Sequence, residues 1–234
     1  MDYETARANM IERQIRPWNV LAEQTLRALA RIRREQFVPM ECRELAFADV
    51  QIPLGDGEVM LEPKVGARMM EALDLDAGDA VLEVGAGSGY LVALLASVCA
   101  HVVAVEINPR LLRQARDNLA RAGVANVTLV EGDAHAGWPG RFDAILISGS
   151  LPQIIAPTEI APTQEQDGAR VADGDSPWLR ALADGGRLVG IEGHAPAMQA
   201  VRLERHGDEV LRRTLFETVA PRLRNVVEAS EFVF

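Results

Sequence analysis

Ala80-Val81-Leu82-Glu83-Val84-Gly85-Ala86-Gly87-Ser88-Gly89-Tyr90 decides the fold of this chain: an apolar strand runs into a glycine-rich turn, and a helix starts near Tyr90. Glycines at 85, 87 and 89 let the backbone turn tightly and approach a ligand where any Cβ would clash. The unpaired N–H groups at the start of the next helix point to the same place and favour a polar or anionic ligand. A nucleotide-like cofactor is expected there.

Spacing narrows the choice. A dinucleotide fingerprint needs a glycine at position 90, which is Tyr90, so a pyrophosphate site is disfavoured. A second strand, His101 to Ile107, carries Glu106 near its end, about twenty residues past the glycines, where a carboxylate can accept hydrogen bonds from ribose hydroxyls. A third, Val127 to Val130, leads into Gly132-Asp133-Ala134, where a carboxylate could hold an adenine amino group. A glycine turn with acids after the second and third strands resembles the class I S-adenosylmethionine methyltransferases. That resemblance implies S-adenosylmethionine as cofactor. The candidate cofactor-binding residues are Glu83, Gly85, Ala86, Gly87, Ser88, Gly89, Glu106, Ile107, Asp133 and Ala134.

Composition agrees with one α/β domain plus an appendage. The 234 residues are 48% hydrophobic and 25% charged, ordinary for a globular protein. A net charge of −10 leaves a nucleic-acid partner only a local basic patch, and none is expected. The best such patch, Arg27, Arg31, Arg33 and Arg34, reads as the solvated face of a helix. Lys64 is the one lysine among 24 basic residues. Cys42 and Cys99 are too few for a zinc motif or a disulfide framework, so no metal is expected and a reducing cytoplasm is. Met1-Asp2-Tyr3-Glu4 lacks the basic and apolar regions of a signal peptide. The uncharged run Tyr90 to Val105 is 16 residues, short of a membrane span, and no membrane partner is expected.

Residues 1–78 read as a helical lid region and 79–234 as the cofactor-binding α/β domain. Apolar Met10, Ile11 and Ile15 recur at helical spacing until Pro17-Trp18, a second helix spans Ala22 to Ile32, and a third starts near Pro63 and runs to Leu73. Phe37-Val38-Pro39 and Gln51-Ile52-Pro53-Leu54-Gly55 read as extended or turn segments. From Asp79 strands and helices alternate, the mark of a mostly parallel sheet covered on both faces. The strands are Ala80–Val84, His101–Ile107, Val127–Val130, Phe142–Ser148 and Arg187–Glu192; a helix from Pro109 to Ala122 has Pro at its first turn and Gly123 at its end. Ala197–Glu204 and Val210–Thr218 form an expected antiparallel pair around His206-Gly207-Asp208. Roughly Ser150 to Ser176 is a polar stretch far longer than the usual connection of about 2–6 residues, hence a substrate lid or a disordered insertion.

From about Met10 to Val189 the chain resembles the protein-L-isoaspartate O-methyltransferase family. The resemblance rests on Glu35-Gln36-Phe37-Val38-Pro39; on Ala46-Phe47-Ala48-Asp49 followed by Ile52-Pro53-Leu54-Gly55; on the Leu82–Tyr90 cofactor motif; and on Gly132-Asp133, Gly137-Trp138-Pro139 and Phe142-Asp143. It implies carboxyl methylation of isoaspartyl residues in damaged proteins. The family places a Thr-Ile-Ser-x-Pro loop at its active site; here the run is Val59-Met60-Leu61-Glu62-Pro63, with no hydroxyl between Gly57 and Ala67. The family's early Arg-Gly-Ile is Arg16-Pro17-Trp18.

The departures bear on substrate. Methyl transfer to a carboxylate already ionised at pH 7 needs no general base; it needs oxygen, methyl carbon and sulfur held in line away from water. Leu61 replaces an orienting hydroxyl with apolar surface, and Glu62, if it faces the pocket, would repel a carboxylate. Lys64 could compensate if it points inward, although a solvated lysine is the plainer reading. His135 reads as a loop side chain, His101 as structural, Trp18, Trp138 and Trp178 as packing anchors, and Asp49 as a cap or turn as readily as a catalytic acid. No catalytic residue is assigned beyond the substrate loop Val59, Met60, Leu61 and Glu62. Three functions stay open: isoaspartyl methylation, methylation of another protein group or small molecule, and a cofactor-binding regulatory module. Oligomeric state is not legible.

Overall fold

The Asp2 carboxylate starts the fold by accepting from the Glu4 N–H at 3.1 Å, which caps α1 (Tyr3–Met10). This computed structural model describes residues 2–155, 169–172 and 176–226. The first helix continues through a π-helical turn at Ile11–Ile15 and a 3-10 turn at Arg16–Trp18, and ends at left-handed Asn19. Next come α2 (Glu23–Arg31), a hairpin of β1 (Ile52–Gly55) and β2 (Glu58–Met60), and α3 (Pro63–Ala72). The hairpin's second strand was not expected, although Gly55-Asp56-Gly57, all at positive φ, is a strong turn signal.

The alternating half comprises β3 (Ala80–Val84), α4 (Tyr90–Ala96), β4 (His101–Glu106), α5 (Pro109–Arg121), β5 (Val127–Glu131) and β6 (Phe142–Leu151). It ends with β7 (Ala169–Ala172), α6 (Pro177–Ala181), β8 (Leu182–Glu192), β9 (Met198–His206) and β10 (Glu209–Thr218). One eight-stranded sheet has the order β5-β4-β3-β6-β8-β9-β10-β7. The first five strands are mutually parallel, and β9, β10 and β7 add antiparallel pairings. This is the expected Rossmann-like class I methyltransferase architecture with its antiparallel C-terminal pair.

Within the stretch expected to be loop, the backbone of Ala169–Ala172 pairs with Arg212–Glu209 on the sheet edge. A four-residue strand recruited by an edge carries no periodic signal of its own. Residues 156–168 and 173–175, the rest of that expected lid or insertion, lie outside the described residues. Strand β6 also outruns its expected end at Ser148, because Ser150 meets Arg222 in a parallel bridge.

Alternation along the strands sends side chains to two cores. Val81, Ala104, Leu146 and Ile191 face α3, α4 and the N-terminal elements, whose Met10, Ile15, Leu29 and Phe37 join the same cluster. Leu82, Ile145, Ile147 and Leu188 face α6, whose Trp178 is buried. Sequence neighbours of β3 lie on opposite sides of it, β4 one way and β6 the other. Such a switch point opens a crevice at the carboxyl ends of the strands. Among the described residues no helix is long and apolar enough to cross a membrane.

Candidate functional site

The crevice holds the glycine turn. Gly85 has φ +94°, and a Cβ there would lie 2.6 Å from Ser148 Oγ, so the position tolerates only glycine. Its N–H donates to Val105 O at 2.9 Å, tying the turn to β4. Gly89, at φ +84°, sets the helix against α5, where a Cβ would come within 3.3 Å of Ala115.

Glu106 ends β4 and closes the turn from below. Its Oε2 accepts from Gly87 N–H at 2.8 Å and its Oε1 from Asn108 N–H at 2.9 Å. Burial raises its pKa, with those two backbone donors opposing the rise. Asn108 in turn caps α5 by accepting from Arg110 N–H at 3.0 Å, and Pro109 occupies the first turn. Asp133 follows β5. Its Oδ1 accepts from His135 N–H at 3.1 Å and lies 2.8 Å from His135 Nδ1, while its Oδ2 accepts from Asn225 Nδ2 at 2.7 Å. Burial pushes its pKa up, but the bonds from Asn225 and His135 outweigh that and hold it below the usual value.

Two cavities meet at this turn. One, about 670 Å³ including open solvent, is lined by Gly85, Gly87, Glu106, Ile107, Asp133, Ala134 and His135, together with Leu54, Glu58, Val59 and Leu61 of the β1–β2 hairpin and the residue after it, and Arg222–Arg224. The other, about 440 Å³ on the same measure, runs under the substrate loop between Val59, Met60, Leu61, Pro63, Arg34 and Tyr90, with Ala86 and Ser88 also in its wall. The two share Leu54, Val59, Leu61, Gly85, Gly87 and Ser148 as common wall.

The expected site residues thus divide. Gly85, Gly87, Glu106, Ile107, Asp133 and Ala134 line the first cavity; Ala86 and Ser88 line only the second; Gly89 lines neither and serves packing. Glu83 lies fully buried beneath the turn, and neither of its carboxylate oxygens has a hydrogen-bond partner. Burial, with Glu106 adding its charge and Ser148 opposing, raises its pKa to about 8. Glu62 lines neither cavity; Gln51 Nε2 donates to it at 3.4 Å. Lys64 does not point inward: its Nζ pairs with Asp49 at 2.5 Å and sits 4.3 Å from the centre of the Trp18 ring.

Arg34 corrects the expectation of a solvated helical face. It follows α2 in a 3-10 turn, Arg34–Gln36, which rotates it inward, and it is 2% exposed. Arg31 and Arg33 remain exposed.

The C-terminal segment contributes a strap that no local pattern announced. Ser150 N–H donates to Pro221 O at 2.8 Å, Leu223 N–H returns to Ser150 O at 3.0 Å, and Arg224 Nε donates to Glu58 Oε1 at 2.7 Å. The β1–β2 hairpin is held from the other side by Arg110, whose Nη2 donates to Leu54 O at 2.7 Å and whose Nε donates to Asp56 at 3.0 Å. Hairpin, α5 and strap therefore converge at the first cavity.

S-adenosylmethionine fits these residues. An orphaned buried carboxylate at Glu83, glycines that admit close backbone approach, and acids ending β4 and following β5 make the donor and acceptor set that an amino-acid-bearing nucleoside needs.

Comparison with known proteins agrees. A family profile described as Protein-L-isoaspartate(D-aspartate) O-methyltransferase matches residues 5–172. A Methylorubrum populi protein-L-isoaspartate O-methyltransferase is 39% identical over 227 residues, covering 95% of this chain and 97% of that one. The Myxococcus xanthus protein of that name is 47% identical over 131 residues, 55% of this chain and 62% of its own. Among solved structures, a Plasmodium falciparum protein described under the same name, in complex with S-adenosyl-L-homocysteine, superposes with a TM-score of 0.73 at 16% identity, covering 96% of this chain and 99% of that one. Another of that name gives 0.72 at 22% identity, covering 92% of this chain and 65% of that one. At such identities the structural likeness speaks to fold.

Proposed function

The chain belongs to the protein-L-isoaspartate O-methyltransferase family, and from that premise we propose that it transfers the methyl group of S-adenosylmethionine to the free α-carboxylate of isoaspartyl residues in proteins or peptides. The observation that carries this reading is the meeting of two cavities at Gly85 and Ser148, one suited to the cofactor and one to an acceptor. When bound, the cofactor supplies a sulfonium whose methyl carbon accepts a carboxylate electron pair as its bond to sulfur breaks.

The residues bind and orient. Glu106 and Asp133 accept from cofactor hydroxyl and amino groups with their remaining lone pairs, each carboxylate having about four. Leu54, Val59 and Leu61 form the apolar partition between the cavities and exclude water, which strengthens every charge interaction inside. No base is needed, since the acceptor is ionised at neutral pH. The free thiols Cys42 and Cys99 suit a reducing compartment such as the cytoplasm.

The apolar faces of Val59 and Leu61 favour a second reading, in which another carboxylate with an apolar flank is the acceptor. Labelled S-adenosylmethionine, an isoaspartyl peptide and its aspartyl twin separate the two. Transfer to the isoaspartyl peptide alone supports the first; tight cofactor binding with transfer to neither removes it.

A further inference from the structure

Arg34 is a buried cation with no carboxylate in direct ion-pair contact among the described residues. Its Nε donates to Ala46 O at 2.8 Å, its Nη2 to Leu61 O at 2.9 Å, and its guanidinium carbon lies 4.8 Å from the centre of the Tyr90 ring. Among the described residues no carboxylate pairs with it: neighbouring Glu35 is taken by Arg7 at 2.6 Å, and Glu62 engages Gln51. Burying a charge without a partner is costly, and two carbonyls and a ring face return only part of that cost. Burial pushes the guanidinium pKa down, with Tyr90 and the charge of Glu62 opposing, yet an arginine stays charged.

The Tyr90 Oη is buried too, and the Arg34 guanidinium is the polar group beside it. Both residues line the second cavity, whose facing walls are Leu54, Val59, Met60 and Leu61. A cation short of a paired carboxylate and a buried hydroxyl thus share the wall of a largely apolar chamber, which has Ser148 in common with the cofactor cavity.

We propose that Arg34 and Tyr90 form the anion anchor of the acceptor cavity and hold the carboxylate that receives the methyl group. The inference rests on the carboxyl-methylation reading above and names the residues that recognise the acceptor where the loop has no hydroxyl. Its energetic sign is definite. The carboxylate loses its charge as the ester forms, so Arg34 binds the substrate more strongly than the transition state or product. The anchor therefore lowers KM at some expense of kcat and lets the neutral ester leave.

Three probes are titrated against the full chain loaded with S-adenosylhomocysteine: an isoaspartyl peptide, its α-methyl ester and butyrate. The acid peptide is expected to bind at least tenfold more tightly than the ester. Arg34 also holds the Leu61 carbonyl, so Tyr90→Phe is the gentler variant; it removes a single hydroxyl and keeps the packed ring, and its Tm is checked alongside. It should weaken the acid peptide about fivefold and the ester not at all, and Arg34→Lys should weaken the acid by more. Equal affinity of acid and ester, or a Tyr90→Phe protein that binds the acid as wild type does, overturns the anchor while leaving the isoaspartyl reading intact. Butyrate binding that is lost in both variants, with no peptide binding, keeps the anchor and removes the isoaspartyl reading. Binding of none of the three removes both.

Discussion

Asn225 donates its carboxamide to Asp133 at 2.7 Å, joining the C-terminal strap to the acid that follows the third strand of the nucleotide-binding half. Asn225 adopts φ +63°, a left-handed turn that asparagine tolerates, and this aims the side chain back at the cavity. The bond leaves Asp133 lone pairs to spare while fixing Arg222–Arg224 in the cavity wall. Strap and Asp133 are thereby joined as one unit.

Loosening that unit should speed cofactor loss. Asn225→Ala is expected to weaken S-adenosylhomocysteine binding about threefold, the worth of one hydrogen bond of roughly 0.5–1.5 kcal/mol. Asn225→Asp, which sets two carboxylates together, should cost more. Calorimetric titration reads both. Tighter binding in the alanine variant would mean that Asn225 competes with the cofactor instead of supporting its site.

Glu106 carries a double load, since it accepts from Gly87 N–H as well as from Asn108 N–H. Glu106→Ala should therefore weaken S-adenosylmethionine binding by more than about tenfold, losing charged acceptors and loop order together. An unchanged affinity in a folded variant would remove the cofactor assignment.

The sequence revealed what is local. The Ala80–Tyr90 stretch, the Pro109 and Gly123 punctuation of α5, and the acids at 106 and 133 each carry their meaning within a few residues, and each stands where expected. What stayed hidden depends on distant partners. The strap at Pro221–Asn225 is a strap only because Ser150, Glu58 and Asp133 receive it. Arg34 is indistinguishable by composition from exposed Arg31 and Arg33; a short 3-10 turn alone directs it to the carbonyls of Ala46 and Leu61. Glu83 read as a cofactor ligand from its motif, but its burial, and so its pKa near 8, belongs to the packed sheet.

That pKa sets a pH dependence. In the cofactor-free protein Glu83 rises from 4.5 to about 8 through burial and the nearby Glu106 charge. A raised carboxyl makes the native state bind the proton more tightly than the unfolded chain. Its contribution is therefore fully present below about 4.5 and is lost as pH climbs toward about 8. Glu106, also raised, adds in the same direction. The Tm should fall from pH 5 to 8, and Glu83→Gln should flatten much of that slope. If Glu83 receives the cofactor's ammonium, S-adenosylhomocysteine affinity in the wild type should also climb over the same range, with proton release on binding. Affinity independent of pH would count against that pairing.

Leu61 is where the acceptor chemistry can be tested most directly. Its side chain is buried in the wall shared by both cavities, and its carbonyl is fixed by Arg34. Leu61→Ser leaves the backbone anchor intact, so the new hydroxyl points where the leucine did. Truncation of a buried leucine removes apolar contact and should lower stability by about 2–4 kcal/mol, visible as a reduced Tm. A hydroxyl bond to a carboxylate is worth roughly 1.5–3 kcal/mol, enough for turnover on an isoaspartyl peptide to rise about tenfold despite that loss. Cofactor affinity should hold, because Glu106 and Asp133 are untouched. A folded, cofactor-binding Leu61→Ser protein with no gain would show that Leu61 is not what restrains isoaspartyl turnover, and acceptor recognition would then rest on other walls of the cavity.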